Sequence, residues 1–251
     1  MTEQEPLLPD SYENWYQQGK KQNDQKQYEQ AISCLERAIQ HDSNAHDAWH
    51  CKGNAFYYLK RYEETIDCYE RAVSIKPDKY ISFWGRGIAL YCLAKMDEAM
   101  KDYDQALAIE PDASEVWKLR GDALSALKRY EQALISYERA LAIQREVGDR
   151  RSEIITLLSL TPIYTFNGRI QDGFLAQHQA GAIARELNLS PDDPFYPLAS
   201  SAANISRETM LSMISPISKT GWMGKLSAIR WLVNHGESPY ITNPAKTPKS
   251  S

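Results

Sequence analysis

Aromatic and small residues recur every 34 positions through the first part of this chain. A tryptophan or phenylalanine, a glycine and an alanine each return at that interval. The three series are Trp15, Trp49, Phe83 and Trp117; Gly19, Gly53, Gly87 and Gly121; and Ala38, Ala72, Ala106 and Ala140. A fixed period of this size is typical of a repeat protein, in which each unit packs mainly on its neighbours.

Within each unit the apolar positions predict two helices. We number the units 1 to 34 from Tyr12, His46, Tyr80 and Ser114. Apolar or small residues then occupy positions 4, 8 and 11, and again positions 17, 20, 24 and 27. At about 100° per residue each set falls on one helical face. A polar turn, such as Lys60 and Arg61, separates the two helices.

The small residues predict how closely these helices pack. A glycine inside a helix costs about 1 kcal/mol relative to alanine, so four glycines in phase indicate close helix–helix contact. Pro77 and Pro111 end the second helices of the second and third units. The sequence therefore predicts antiparallel helix pairs stacked in a row around a shared core.

The motif Trp-x3-Gly-x2-aromatic or Leu, followed by Tyr-x2-Ala-x3-Tyr-x2-Ala-x4-Pro, resembles the tetratricopeptide repeat family. This resemblance implies an all-α fold, a right-handed superhelical solenoid of antiparallel helix hairpins, with C-terminal helices capping its end. The first unit departs from the motif at Gln22 and at Ser43, which suggests an atypical, solvent-facing cap.

A degenerate fifth unit is predicted after the four regular ones. The turn-like sequence from Asn167 to Ile170 places its start at Ile154, after a charged insertion within 144–153. The predicted organisation is a flexible lead (1–11), four units (12–45, 46–79, 80–113 and 114–147), a linker with the fifth unit (148–187), a C-terminal helical segment (188–238) and a disordered tail (239–251).

Prolines 191, 194 and 197 predict that regular stacking stops after the fifth unit. Two further helices are expected at 198–214 and 221–234. Trp222, Leu226, Ile229 and Val233 share one face of the second of these helices. Capping of the solenoid is the first interpretation, and an interfacial or partner-docking helix is the alternative.

Composition favours a soluble protein in a reducing compartment. The net charge of −4 argues against a nucleic-acid binder, and no stretch has the 18 or so consecutive apolar residues that span a bilayer. Four cysteines follow no disulfide or zinc spacing. We expect a cytoplasmic protein, with a location at a membrane surface as the alternative.

The resemblance also implies where a partner binds, since positions 2, 5, 9 and 12 of the first helices line the concave groove of this family. The third unit would expose a large apolar patch there, and Asn54 would supply an amide for backbone hydrogen bonds. Burial of that patch by the C-terminal segment or by the superhelical twist is the alternative. The candidate groove residues are Tyr16, Lys20, His50, Asn54, Tyr57, Ile81, Trp84, Ile88, Tyr91 and Lys118.

Two special functions are disfavoured. The family members that bind Hsp70 or Hsp90 tails carry a carboxylate clamp of cationic side chains. Neither the alignment of that clamp that begins at the first unit nor the one that begins at the second supplies those side chains. His46 and His50 have a metal-compatible spacing but no third ligand, so we interpret them as surface or groove histidines. No catalytic motif is present, so we expect no enzyme activity, no cofactor, no bound metal and no small-molecule substrate.

The predicted function is a non-catalytic scaffold or adaptor that binds a peptide or helix of another protein in the groove. One alternative is a membrane-peripheral assembly factor for a multiprotein complex, such as a photosynthetic one, anchored through the helix at 221–234. The other alternative is a self-associating structural scaffold.

Overall fold

The computed structural model describes residues 10–190 and 193–195, and this part of the chain contains ten α-helices and no strand. The predicted all-α class is therefore confirmed. The helices fall into two compact units, unit 1 with α1–α6 and unit 2 with α7–α10. Their bounds are α1 Tyr12–Asp24, α2 Tyr28–His41, α3 His46–Tyr58, α4 Tyr62–Ile75, α5 Tyr80–Cys92, α6 Met96–Ile109, α7 Ser114–Ala126, α8 Tyr130–Val147, α9 Arg150–Phe166 and α10 Ile170–Glu186.

Consecutive helices form antiparallel hairpins. A turn of three residues joins α1 to α2, α3 to α4, α5 to α6, α7 to α8 and α9 to α10, and the two helices of each pair pack together. In unit 1 the second helix of a pair also packs on the first helix of the next, and α3 contacts both α1 and α5. In unit 2, α9 packs against α8 and contacts α7.

A buried ring or leucine lies beneath the glycine at position 8 of the first helix in each of the four regular hairpins. The pairs are Gly19 with Leu35, Gly53 with Tyr69, Gly87 with Tyr103, and Gly121 with Tyr137. A Cβ atom added at these glycines would lie between 2.6 and 3.1 Å from its partner. The absence of a side chain therefore lets the two helices of a hairpin approach closely.

The turn between the helices has one left-handed residue at the same place in all five hairpins. Position 15 has a φ of 59–73° in every one of them. The residues are Lys26, Lys60, Ala94, Lys128 and Gly168. Only the last is a glycine, so four turns place an L side chain in a conformation that disfavours it.

The insertion before α9 is fixed by a buried carboxylate. Gly148 ends α8 with a φ of 73°, and the Asp149 side chain accepts the backbone N–H of Ser152 at 3.1 Å, which caps α9. The Glu153 carboxylate accepts hydrogen bonds from Arg145 Nε at 2.8 Å and Arg150 Nη1 at 2.6 Å. The two arginines satisfy a carboxylate that burial would otherwise destabilise.

The predicted helices at 198–214 and 221–234 and the predicted tail lie outside the described residues, so their capping or membrane roles stay predictions. The right-handed superhelix across all repeats also stays a prediction. No helix within the described ranges combines the length and the apolar character that crossing a membrane requires.

Replacing Gly87 with alanine is expected to destabilise the protein by about 1–2 kcal/mol. The new Cβ would lie 2.6 Å from the Tyr103 ring, and overpacking of about 1–3 kcal/mol exceeds the helix-propensity gain of about 1 kcal/mol. Gly53→Ala is the matched control, because its Cβ would lie 3.1 Å from Tyr69 and the two effects should nearly cancel. Urea denaturation followed by circular dichroism measures both, and equal destabilisation would contradict this account.

Ala94→Gly is expected to stabilise the protein by about 0.5–1 kcal/mol, because alanine is strained at a φ of 59° and glycine is not. The control is Ala142→Gly on the exposed face of α8, which should destabilise by about 1 kcal/mol. Thermal unfolding compares the two variants with the wild type. A lower melting temperature for Ala94→Gly would show that the turn is not strained.

Candidate partner-binding face

The candidate residues of unit 1 lie on three first helices, α1, α3 and α5, of which α3 contacts both of the others. We call their side chains at repeat positions 2, 5, 9 and 12 the first-helix face. Nine of the ten candidates belong to it. Lys118 lies on α7 in unit 2, where its Nζ is 2.7 Å from Asp122 Oδ2.

On α1, Tyr16 belongs to the face, and Tyr12 at position 1 stacks on it. The rings of Tyr12 and Tyr16 stack with centroids 5.7 Å apart, and Tyr16 Oη lies 4.0 Å from Cys51 Sγ on α3. Both rings and the candidate Lys20 are half-buried. Burial, with the charges of Asp47 and Glu13, raises the pKa of Tyr12 to about 12. These hydroxyls therefore stay protonated at neutral pH and can donate hydrogen bonds.

A buried tyrosine on α4 orients the side-chain amide of Asn54 on α3. The hydroxyl of Tyr69 on α4 donates to Asn54 Oδ1, and the Tyr69 ring lies 5.2 Å from the His50 ring. No acceptor for Asn54 Nδ2 is found within the described ranges, so this group can donate to a partner. Tyr57 is half-buried, and its ring lies 5.6 Å from that of Tyr58 and 5.9 Å from that of Tyr62.

On α5, the predicted exposed apolar patch is wrong for two of its four members. Trp84 is only 8% exposed and Ile88 only 6%, whereas Ile81 and Tyr91 are half-buried. The reason is that α5 packs against α3, α4 and α6 and carries apolar or small residues on nearly every side. Trp84 and Ile88 are therefore buried members of the first-helix face that form its floor, and they are not contact residues on its surface.

Two histidines bridge α3 to α5. His46, only 4% exposed, places Nε2 at 3.0 Å from Ser82 Oγ and Nδ1 at 2.8 Å from Asp47 Oδ1. His50 places Nδ1 at 3.4 Å from the same hydroxyl. The interpretation as surface or groove histidines therefore fails for His46, because a hydrogen-bonding partner on the next first helix allows its burial.

The Asp47–His46–Ser82 order resembles the hydrogen-bonded series of a serine hydrolase, but its environment does not suit a nucleophile. Ser82 is fully buried, so no substrate reaches its hydroxyl. Sequence reasoning missed Ser82 because position 3 lies outside both the apolar stripe and the groove set. The signal available was a serine that follows His46 by 36 residues and His50 by 32, close to the 34-residue repeat length, and this signal is weak by itself.

The thiols and carboxylates form no reactive centre in the part of the chain that the structure describes. All four cysteines are free. Burial raises the pKa of Cys51 to about 11 and that of Cys68 to about 12, which keeps both as neutral thiols. No group of three or more histidine, cysteine, aspartate or glutamate side chains within the described ranges could hold a metal ion.

Unit 2 repeats the arrangement of the α3–α4 hairpin with a different polar group. The Tyr137 hydroxyl donates to Asp122 Oδ1 at 2.6 Å, as Tyr69 does to Asn54 at the same repeat positions. Lys118 is only 12% exposed and pairs with the other oxygen of Asp122. Lys118 thus lies in unit 2, where its ammonium group is engaged by Asp122.

Comparisons with known proteins agree with this architecture. Models of the tetratricopeptide repeat match residues 12–44, 46–79 and 114–146. Among solved structures, residues 41 to the end of MamA from Desulfovibrio magneticus RS-1 are 14% identical, with 74% of this chain and 100% of that chain covered and a TM-score of 0.64. The structure of MamA AMB-1 is 21% identical, with coverages of 67% and 96% and a TM-score of 0.58.

A third similar structure is that of YrrB, a TPR protein with an unusual peptide-binding site. It is 16% identical, with 74% of this chain and 90% of that chain covered and a TM-score of 0.57. At such identities the likeness concerns the fold alone. A comparison with curated proteins found no match.

The assignment to a family rests on independent observations that agree. Three stretches of the chain match tetratricopeptide repeat models, and each forms a hairpin with a glycine above a buried ring or leucine. Solved structures with the same helix arrangement cover about two thirds or more of the chain. The chain belongs to the tetratricopeptide repeat family.

Proposed function

We propose that this protein is a non-catalytic scaffold whose first-helix face binds a peptide or helix of a partner protein. The single observation that carries the proposal is the amide of Asn54. Its oxygen accepts the Tyr69 hydroxyl, which holds the amide group and leaves Nδ2 available to donate to a main-chain carbonyl.

The surroundings of Asn54 support binding of an extended or helical segment. Tyr16 on α1 and Tyr57 on α3 are half-buried, as are Ile81 and Tyr91 on α5. Each offers part of an aromatic or apolar surface to a partner, at a low cost in side-chain entropy because packing already restrains it. YrrB, which shares the fold, has a peptide-binding site, and this adds support by analogy only.

The partner in this proposal is a protein, with no role for nucleic acid, cofactor or small-molecule substrate. The free thiols, of which two are buried, are consistent with a reducing compartment such as the cytoplasm. The membrane-anchored alternative depends on residues 198–251, which lie outside the described residues. In the self-associating alternative the groove would bind the chain's own tail or a second copy, and no observation on the described residues favours it.

Asn54→Asp tests the binding role of the amide without removing its support. Aspartate keeps an oxygen for the Tyr69 hydroxyl, as Asp122 does for Tyr137 in unit 2, but it has no N–H to donate. Peptides selected from a random displayed library with the wild type should bind this variant about thirtyfold more weakly, because a lost hydrogen bond and an added charge each cost about 1 kcal/mol. Calorimetric titration measures the affinity.

Two controls frame this experiment. Lys101→Ala changes an exposed residue of α6 outside the first-helix face and should leave affinity within about twofold of the wild type. Tyr57→Ala should weaken the same peptides by about tenfold or more, as aromatic contacts do at interfaces. Selected peptides that bind all four proteins equally, or a library that yields no binder, would refute a peptide-binding face centred on Asn54.

A further inference from the structure

A chain of hydrogen bonds fastens α3 to α5 along the wall of the first-helix face. Ser82 on α5 lies between two α3 histidines, 3.0 Å from His46 Nε2 and 3.4 Å from His50 Nδ1. Asp47 holds the other nitrogen of His46 at 2.8 Å. We call the two histidines and the serine the His–Ser bridge.

The aspartate fixes the order of the protons in this bridge. Burial raises the pKa of Asp47, but the hydrogen bond from His46 and the charge of Lys76 outweigh it, so the pKa is lowered and Asp47 is ionised. It therefore accepts the N–H from His46 Nδ1, so that in a singly protonated ring Nε2 is the acceptor. Ser82 donates its single hydroxyl proton to that nitrogen, and its oxygen then accepts the N–H from His50 Nδ1. In this order each of the three hydrogen bonds has one donor and one acceptor.

A positive charge on His50 would fit poorly here. Burial, followed by the neighbouring His46, lowers the pKa of His50 to about 4, and Asp47 offsets only part of this effect. Among the described residues, Asp47 is the only carboxylate that acts on His50, and it is already hydrogen-bonded to His46. The other titratable or polar groups that contact the bridge or act on its aspartate are Tyr12 and Tyr16 on α1, Tyr69 on α4, Lys76 at the end of α4, and Ser82 on α5.

We propose that the His–Ser bridge is a proton-sensitive seam, in which charging of His50 separates α3 from α5 and so weakens the first-helix face. As a regulatory device for partner binding, this inference rests on the proposed function. The seam itself requires only the geometry of α3 and α5. His50 and Asn54 lie one turn apart on α3, and both contact Tyr69, so movement at the seam disturbs the amide that the partner would use.

The sign of the pH effect follows from where the proton binds. A histidine in the unfolded chain takes up a proton near pH 6.5, whereas His50 in the folded protein does so only near pH 4. The unfolded state therefore binds more protons throughout this interval. Stability that is fully present above pH 6.5 is lost as the pH falls through it toward 4.

The first test compares the wild type with His50→Asn, which keeps a side-chain donor near the position of Nδ1 but cannot titrate. The unfolding constant of the wild type, divided by that of the variant, should rise about tenfold between pH 6.5 and pH 5. The remaining histidines are common to both proteins, so their contributions largely cancel. A ratio that stays constant with pH would overturn the proposal.

Two further measurements on the full chain report directly on the hydrogen bonds of the His–Ser bridge and on the opening of α5. Nitrogen-15 spectra of the wild-type histidine rings at pH 7 should show a protonated Nδ1 and an unprotonated Nε2 for both His46 and His50. Amide exchange of α5, corrected for intrinsic rates, should accelerate between pH 7 and pH 5 in the wild type and not in His50→Asn. Ser82→Ala should exchange faster at α5 already at pH 7.

A different pattern of ring protons, or equal acceleration of α5 exchange in both proteins, would overturn the seam. None of these measurements uses a partner, whereas the peptide selection is performed at constant pH. A protein whose α5 exchange ignores pH but whose peptides depend on Asn54 would keep the proposed function and lose only the proton-sensitive seam.

Discussion

The contact between a helical glycine and a buried ring or leucine holds each regular hairpin together. Glycine at position 8 removes the side chain that would keep the helices apart, and the ring or leucine at position 24 fills the space. Tyr69 carries this arrangement further, because it lies against Gly53 in its own hairpin and against Gly85 in the next. One fully buried side chain therefore joins two repeats of unit 1. The degenerate fifth unit has an exposed glutamine, Gln177, at this position, so it lacks the corresponding contact.

The same ring connects the core with the candidate binding face. Its apolar part packs beneath the glycines, and its hydroxyl reaches the face, where it orients Asn54. In unit 2 the equivalent Tyr137 orients Asp122, which in turn pairs with Lys118. The backbone arrangement is thus shared, while the polar group presented at position 9 differs: an amide able to donate in unit 1, and a carboxylate already engaged by a lysine in unit 2. Differences in ligand preference between repeats can arise in this way without any change of fold.

Trp84 shows that position within the repeat is not enough to predict the exposure of a side chain. Position 5 holds Tyr16, His50 and Lys118 in the other regular units, and there the side chain is half-buried. In the third unit an apolar residue occupies that position on a helix that is apolar on nearly all sides, and it is buried. Position within the repeat gives the direction of a side chain, but its exposure depends on the neighbours that pack over it. For the same reason, His46 is buried beside Ser82 although its sequence position suggested the surface or the groove.

The sequence alone determined the repeat length, the two-helix unit, the family and the positions at which side chains point toward the first-helix face. These follow from local periodicity, because a 3.6-residue helix repeats its faces at fixed intervals whatever lies beyond it. Tertiary structure decided which of those side chains stay accessible, which hydroxyl orients Asn54, and that Ser82 links two histidines. Such properties depend on pairs of residues brought together from different helices, and a single sequence without a partner structure does not specify those distances.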